Sequence, residues 1–156
     1  MLIFKVLHIL SMFTAVTLLM GDAVFLALAF QRRDVRALAS FQRLVGARTT
    51  YIGGSIFLLG IVFGLLTAAT GSIDFFKGWL IAAYALVVAV FAVNGSPFVQ
   101  RMPKVAREAL EVEAGGSSAE DVARRMSSVR TGFLVSVVLK AAIFVALIVD
   151  MVVKPF

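Results

Sequence analysis

Four stretches of this chain are too long and too apolar to be ordinary core helices of a soluble protein. Residues 2–30 are interrupted only by Lys5, His8 and Asp22. Residues 51–70 carry no charge at all. Residues 76–94 have only Lys77 at their entrance, and residues 132–153 carry Lys140 and Asp150. A helix needs about 20 mainly apolar residues to cross the hydrocarbon of a bilayer. Backbone groups in lipid must bond within their own segment, so these runs predict helices. They also lack the period-2 alternation of a membrane barrel. The expected fold is all-α: an integral membrane four-helix bundle with amphipathic cytoplasmic helices. One domain covers residues 1–156, with spans at about 2–30, 51–70, 76–94 and 132–153 and long loops at 31–50 and 95–131.

Composition agrees. The 156 residues are 61% hydrophobic, against roughly 45–50% in soluble domains. Having no cysteine, the chain can form no disulfide, thiolate nucleophile or Cys-based metal site. A formal charge of +6 raises nucleic acid as a partner. The basic residues, however, gather in two loops beside apolar spans, which is the distribution of membrane topology. The expected partner is therefore the lipid bilayer and not nucleic acid.

Loop charge sets orientation. Arg32, Arg33, Arg36, Arg43 and Arg48 lie in the first loop; Arg101, Lys104, Arg107, Arg124, Arg125 and Arg130 lie in the third. The middle connection offers only Lys77, and the ends offer Lys5 and Lys154. Both long loops are expected in the cytoplasm and both termini outside, in a multi-pass protein of the cell inner membrane. Trp79 and Tyr51 would then sit at the outer and inner headgroups. Ala27-Leu28-Ala29 resembles a signal-peptide cleavage site, but the long apolar region containing Asp22 and the thin basic start favour an uncleaved helix.

Both loops carry helical patterns. Val35, Leu38, Phe41 and Val45 share one face and Arg36, Gln42 and Arg43 the other, which predicts an amphipathic helix at the inner interface or extending helix 1. Asp34 can cap its start and Gly46 can end it. Met102, Val105, Ala106, Ala109 and Leu110 give a second helix an apolar side, and Gly115-Gly116 breaks it. Ser118 with Asp121 forms a capping-box signal, and Glu120–Arg124 and Asp121–Arg125 are spaced for i,i+4 pairing. With no breaker before Pro155, the last helix is expected to run unbroken from near Ala119.

Ionisable groups at bilayer depth are costly, so they face protein, pair, or work. Asp22 lies about eight residues, roughly 12 Å, from the inner end of helix 1. Lys140 lies at the same depth on the antiparallel last helix. An intramembrane ion pair between Asp22 and Lys140 is expected, as a pin of helix register or as a functional site; a snorkelling Lys140 is the alternative. His8, the single histidine, sits nearly four turns from Asp22 on the same side of helix 1. Asp150 can approach His8 or Lys5. His8 with Asp150 is thus a candidate haem or proton site. Gly53, Gly60, Gly64, Thr67 and Gly71 form a small-residue stripe on helix 2, suited to helix packing within the bundle or to self-association. There is no HExxH, GxSxG, P-loop or dinucleotide-binding glycine pattern, and no metal or catalytic residue is expected.

The opening Phe4-Lys5-Val6-Leu7-His8-Ile9-Leu10 resembles the lysine-x-leucine-histidine start of CopD-type copper-resistance proteins and HemJ-type protoporphyrinogen oxidases. The chain more closely resembles an uncharacterised bacterial four-span family classed only as predicted integral membrane proteins. That likeness adds the Arg-rich first loop, Gly60, Gly64, Thr67 and Gly71, and Gly78-Trp79-Leu80, and covers most of residues 2–110. The HemJ-type resemblance implies haem binding at His8, which without another histidine requires a second protomer for a bis-His site. The leading expectation is a non-enzymatic structural, scaffold or accessory subunit, self-associating or bound in a larger membrane complex. The alternatives are a haem-associated or redox protein using His8, and a small transporter using Asp22 and Lys140.

Overall fold

A computed structural model describes residues 2–153. Lys154 and Pro155, which entered the loop-charge and breaker arguments, lie outside the described residues. The described chain is seven helices: α1 (Leu2–Arg32), α2 (Val35–Leu44), α3 (Gly46–Thr70), α4 (Gly78–Asn94), α5 (Pro97–Gln100), α6 (Met102–Glu113) and α7 (Ala119–Val153). Three segments are each long and apolar enough to cross a membrane: α1, Arg48–Thr70 of α3, and α7. At 17 residues, α4 is about 26 Å long. It reaches the span criterion only together with Pro97–Val112, across a bend of 43°.

Close backbone approach runs in the order α3, α1, α7, α4. Side chains close this row into a bundle. Phe57 of α3 is buried, and its ring lies 6.2 Å from that of Phe91 on α4 and 6.1 Å from that of Phe144 on α7. Ala15 of α1, Ala83 and Val90 of α4, and Ile143 and Leu147 of α7 share this core with Phe57. The outward faces keep large apolar side chains exposed, among them Phe13, Leu59, Val88 and Val138, as lipid-facing surfaces do.

A second core lies at the basic end. The α1–α2 turn reverses the chain sharply: Arg33 adopts φ 54°, Asp34 N–H bonds Ala29 O at 3.0 Å, and the Asp34 carboxylate accepts from Ala37 N–H at 2.9 Å, an N-cap. The apolar face of α2 then packs on α6 and α7 instead of lying in the interface: Leu38 and Ala39 join Met102, Val105, Ala106, Ala109, Val122 and Met126. The amphipathic pattern showed that α2 needed an apolar neighbour, and α6 supplies a matching face nearer than lipid. Burying a leucine this completely contributes about 1.5–3 kcal/mol.

Gly46, at φ 54°, ends α2 and begins α3 in one step, so helix occupies most of the expected first loop. Gly115, at φ 77°, reverses the chain between α6 and α7, a left-handed geometry that glycine adopts without steric cost. The i,i+4 pairs expected at the start of α7 do not form. Arg124 bonds Asp121 at 2.6 Å in an i,i+3 pair, and Arg125 crosses to Glu108. The crossing ties α7 to α6, a partner that helical spacing alone does not show. Farther along, Gly132 lets the Phe98 ring of α5 lie directly on the α7 backbone.

Candidate functional site

Asp22 and Lys140 line one cavity of about 330 Å³ at the basic end of the bundle. Its other walls include Thr50 and Tyr51 of α3, Asn94 at the end of α4, Gln42 of α2, and the apolar Leu19, Phe133 and Phe144. The expected ion pair is not formed. No oxygen of Asp22 lies within 4 Å of Lys140 Nζ, and the amine instead donates to Asn94 Oδ1 over a long 3.4 Å. Helix counting placed the two residues at one depth but said nothing about direction. The flexible lysine stem carries its charge to the C-terminal end of α4, where free carbonyls and the helix dipole favour a cation. Asp22 Oδ2 is buried with no hydrogen-bond partner among the described residues. The cavity thus holds a basic group with one long hydrogen bond and an acidic group with one buried oxygen that has no hydrogen-bond partner among the described residues.

His8 lies toward the opposite end. Its Nδ1 donates to Gly60 O at 2.7 Å, and its Nε2 stands 3.5 Å from Met151 Sδ. The first contact exists because α3 comes very close to α1. A Cβ on Gly64 would sit 3.0 Å from the His8 ring, one on Gly60 2.7 Å from Met12 Sδ, and one on Gly53 3.1 Å from Leu19. Three glycines of the stripe therefore face α1 within the same chain. The other two members do different work: Thr67 turns its hydroxyl back to Phe63 O at 2.7 Å, and Gly71 closes the helix, its N–H on Thr67 O.

Asp150 is not brought to His8 or Lys5: no hydrogen bond or ion pair joins it to either among the described residues. Successive helical residues project about 100° apart, and it is Met151 that turns toward α1. Asp150 continues the stripe of Ile143 and Leu147, is 8% exposed, and leaves Oδ2 without a hydrogen-bond partner. Among the described residues no group of three or more His, Cys, Asp or Glu side chains is placed to hold a metal ion.

A family profile described as "Predicted integral membrane protein (DUF2269)" matches residues 2–155. The chain belongs to the DUF2269 family. No curated protein and no solved structure matches it. In this DUF2269 chain the site is therefore defined by its own geometry.

That geometry adds residues the sequence reading did not single out. Asn94, the last residue of α4, is the hydrogen-bond partner of Lys140. Gln42, Thr50 and Tyr51 line the same cavity. Asn94 carried a usable signal: it is the polar last residue of an apolar span, at the membrane end where Asp22 and Lys140 also lie.

Proposed function

We propose that this integral membrane protein is a non-enzymatic binding protein whose basic-end cavity takes a small zwitterionic ligand between Asp22 and Lys140. The observation that carries this reading is the separated pair in one cavity, Lys140 with one long hydrogen bond and Asp22 with one buried oxygen that has no partner among the described residues. The Asp22 carboxylate would meet the cationic end of the ligand and Lys140 the anionic end. Asn94, Thr50 and Gln42 would orient it, and the apolar wall of Leu19, Phe133 and Phe144 would take an uncharged body. A volume of about 330 Å³ lies at the small end of ligand pockets, which run from about 300 to 1,000 Å³. An amino-acid-like solute and the headgroup of a zwitterionic phospholipid share this chemistry.

The accessory-subunit reading leaned on the glycine stripe, and the contacts of Gly53, Gly60 and Gly64 with α1 now give that stripe an intramolecular role. Haem at His8, which the HemJ-type likeness would bring, fits the ring poorly. Nδ1 is held by Gly60, Met151 stands against Nε2, and a flat macrocycle there would have to displace α7. Placement in the inner membrane with both termini outside follows from the loop charges and is part of the same proposal.

Native mass spectrometry of the full chain released from lipid nanodiscs tests the reading. The wild type should retain one ligand, a lipid mass or a smaller solute mass distinguishing the two sources. Asp22→Asn and Lys140→Met should each lose it. Equal retention by all three proteins would remove the cavity as the binding site.

A further inference from the structure

The Asp22–Lys140 cavity is covered toward the loops and open to one side. Leu38 of α2 and Met102 and Ala106 of α6 line it and belong to the packed core of the basic end, so two amphipathic helices roof it. Phe144 lines it as well, and the rings of Phe144 and Phe91 meet Phe57 beneath. The side between α3 and α4 is different. Among the described residues the backbone of α3 approaches only α1 and α2, and that of α4 only α5 and α7. The cavity reaches this gap from both edges: Thr50 and Tyr51 line it from α3, Asn94 and Val99 from α4 and α5. Tyr51 is 75% exposed, and Thr50 and Asn94 are exposed too. The lining therefore continues onto the outer surface between two apolar helices.

We propose that the occupant is a phospholipid whose headgroup ends in a primary ammonium, admitted sideways between α3 and α4, an inference that rests on the zwitterion reading of the same cavity. A solute arriving from water meets the α2–α6 roof, whereas a lipid meets the gap. Depth agrees. With 17 residues, α4 is about 26 Å long, short of the roughly 30 Å of hydrocarbon. Its last residue, Asn94, stands at the level of Lys140. A bilayer thins beside a short span, which brings headgroups to the opening. The acyl chains stay outside, where Phe91 is 48% exposed.

Hydrogen-bond chemistry selects the headgroup. An ionised carboxylate only accepts, and Asp22 Oδ2 is buried with no partner among the described residues. A donor relieves that cost and a purely apolar cation does not. A primary ammonium carries three N–H donors, as lysine does; a trimethylammonium carries none. The Lys140 amine spends one donor on Asn94 and has others for the lipid phosphate.

Native mass spectrometry of the full chain, released from nanodiscs holding an ethanolamine phospholipid diluted into a choline phospholipid of the same acyl chains, tests this. The wild type should retain one ethanolamine lipid, preferred over the choline lipid by roughly tenfold or more, the factor that one hydrogen bond to a charged group supplies. Asp22→Asn should lose this preference. Asp150→Asn should keep it: Asp150 is equally buried, with its own unpartnered Oδ2, but lies outside the cavity lining. The wild-type comparison of the two lipids needs no variant, so it decides even where a substitution prevents folding. A small solute mass in place of a lipid would overturn the lipid assignment and leave the zwitterion cavity standing; retention of neither would remove both. Equal retention of the two lipids by the wild type, or an undiminished preference in Asp22→Asn, would overturn the headgroup assignment.

Discussion

The His8 seam and the Asp22–Lys140 cavity lie in the same bundle, yet they treat polar groups in opposite ways. At the seam, α3 presses its glycines onto α1 until the imidazole has one fixed position, bonded at 2.7 Å to Gly60 O. At the cavity, Asp22 and Lys140 line one space without meeting. Lys140 has a single 3.4 Å contact and Asp22 Oδ2 has none. The difference shows what small residues do in an apolar bundle. Where a glycine brings the helices into contact, the imidazole finds backbone to bond; at the cavity, Asp22 Oδ2 finds no hydrogen-bond partner among the described residues.

Five changes break or sharpen this contrast. The largest effect is expected from Gly64→Val, whose Cβ alone would stand 3.0 Å from the imidazole. Such overpacking should cost about 1–3 kcal/mol, measured by unfolding in mixed detergent micelles. Gly54→Ala is the matched control, because nothing lies within 4 Å of the added atom; it should stabilise α3 by about 0.5–1 kcal/mol through helix propensity. His8→Phe fills the same space without the Nδ1 bond and should cost about 1 kcal/mol. Arg125→Ala removes the bridge from α7 to Glu108. With the arginine largely exposed, it should cost only about 0.2–1 kcal/mol, less in high salt. The smallest effect is expected in the double-mutant cycle of Asp22→Asn with Lys140→Met. Groups that do not touch should be additive to within about 0.5 kcal/mol, whereas breaking a formed buried pair costs about 3–5 kcal/mol.

Much of the architecture was legible in the residues. The uncharged run of residues 51–70 had to be a helix, Asp34 announced the start of α2, and the absence of a breaker after Ala119 carried α7 to Val153 in one piece. What escaped was azimuth and partnership. Counting residues along α1 and α7 put Asp22 and Lys140 at one depth, but a four-carbon stem can swing its amine to α4, and depth does not record that. Likewise the apolar face of α2 shows that Leu38 must be buried, not that α6 will bury it. Met151 was invisible for the same reason: only the close approach of α1 and α7 brings that sulfur to His8.

The most direct test of the zwitterion site is an experimental density map of the full chain in a lipidic environment, at a resolution that shows side chains. The account requires density for a bound molecule between the Asp22 carboxylate and the Lys140 amine, with the two groups apart. Asp22 and Lys140 in direct contact, with nothing between them, would contradict it.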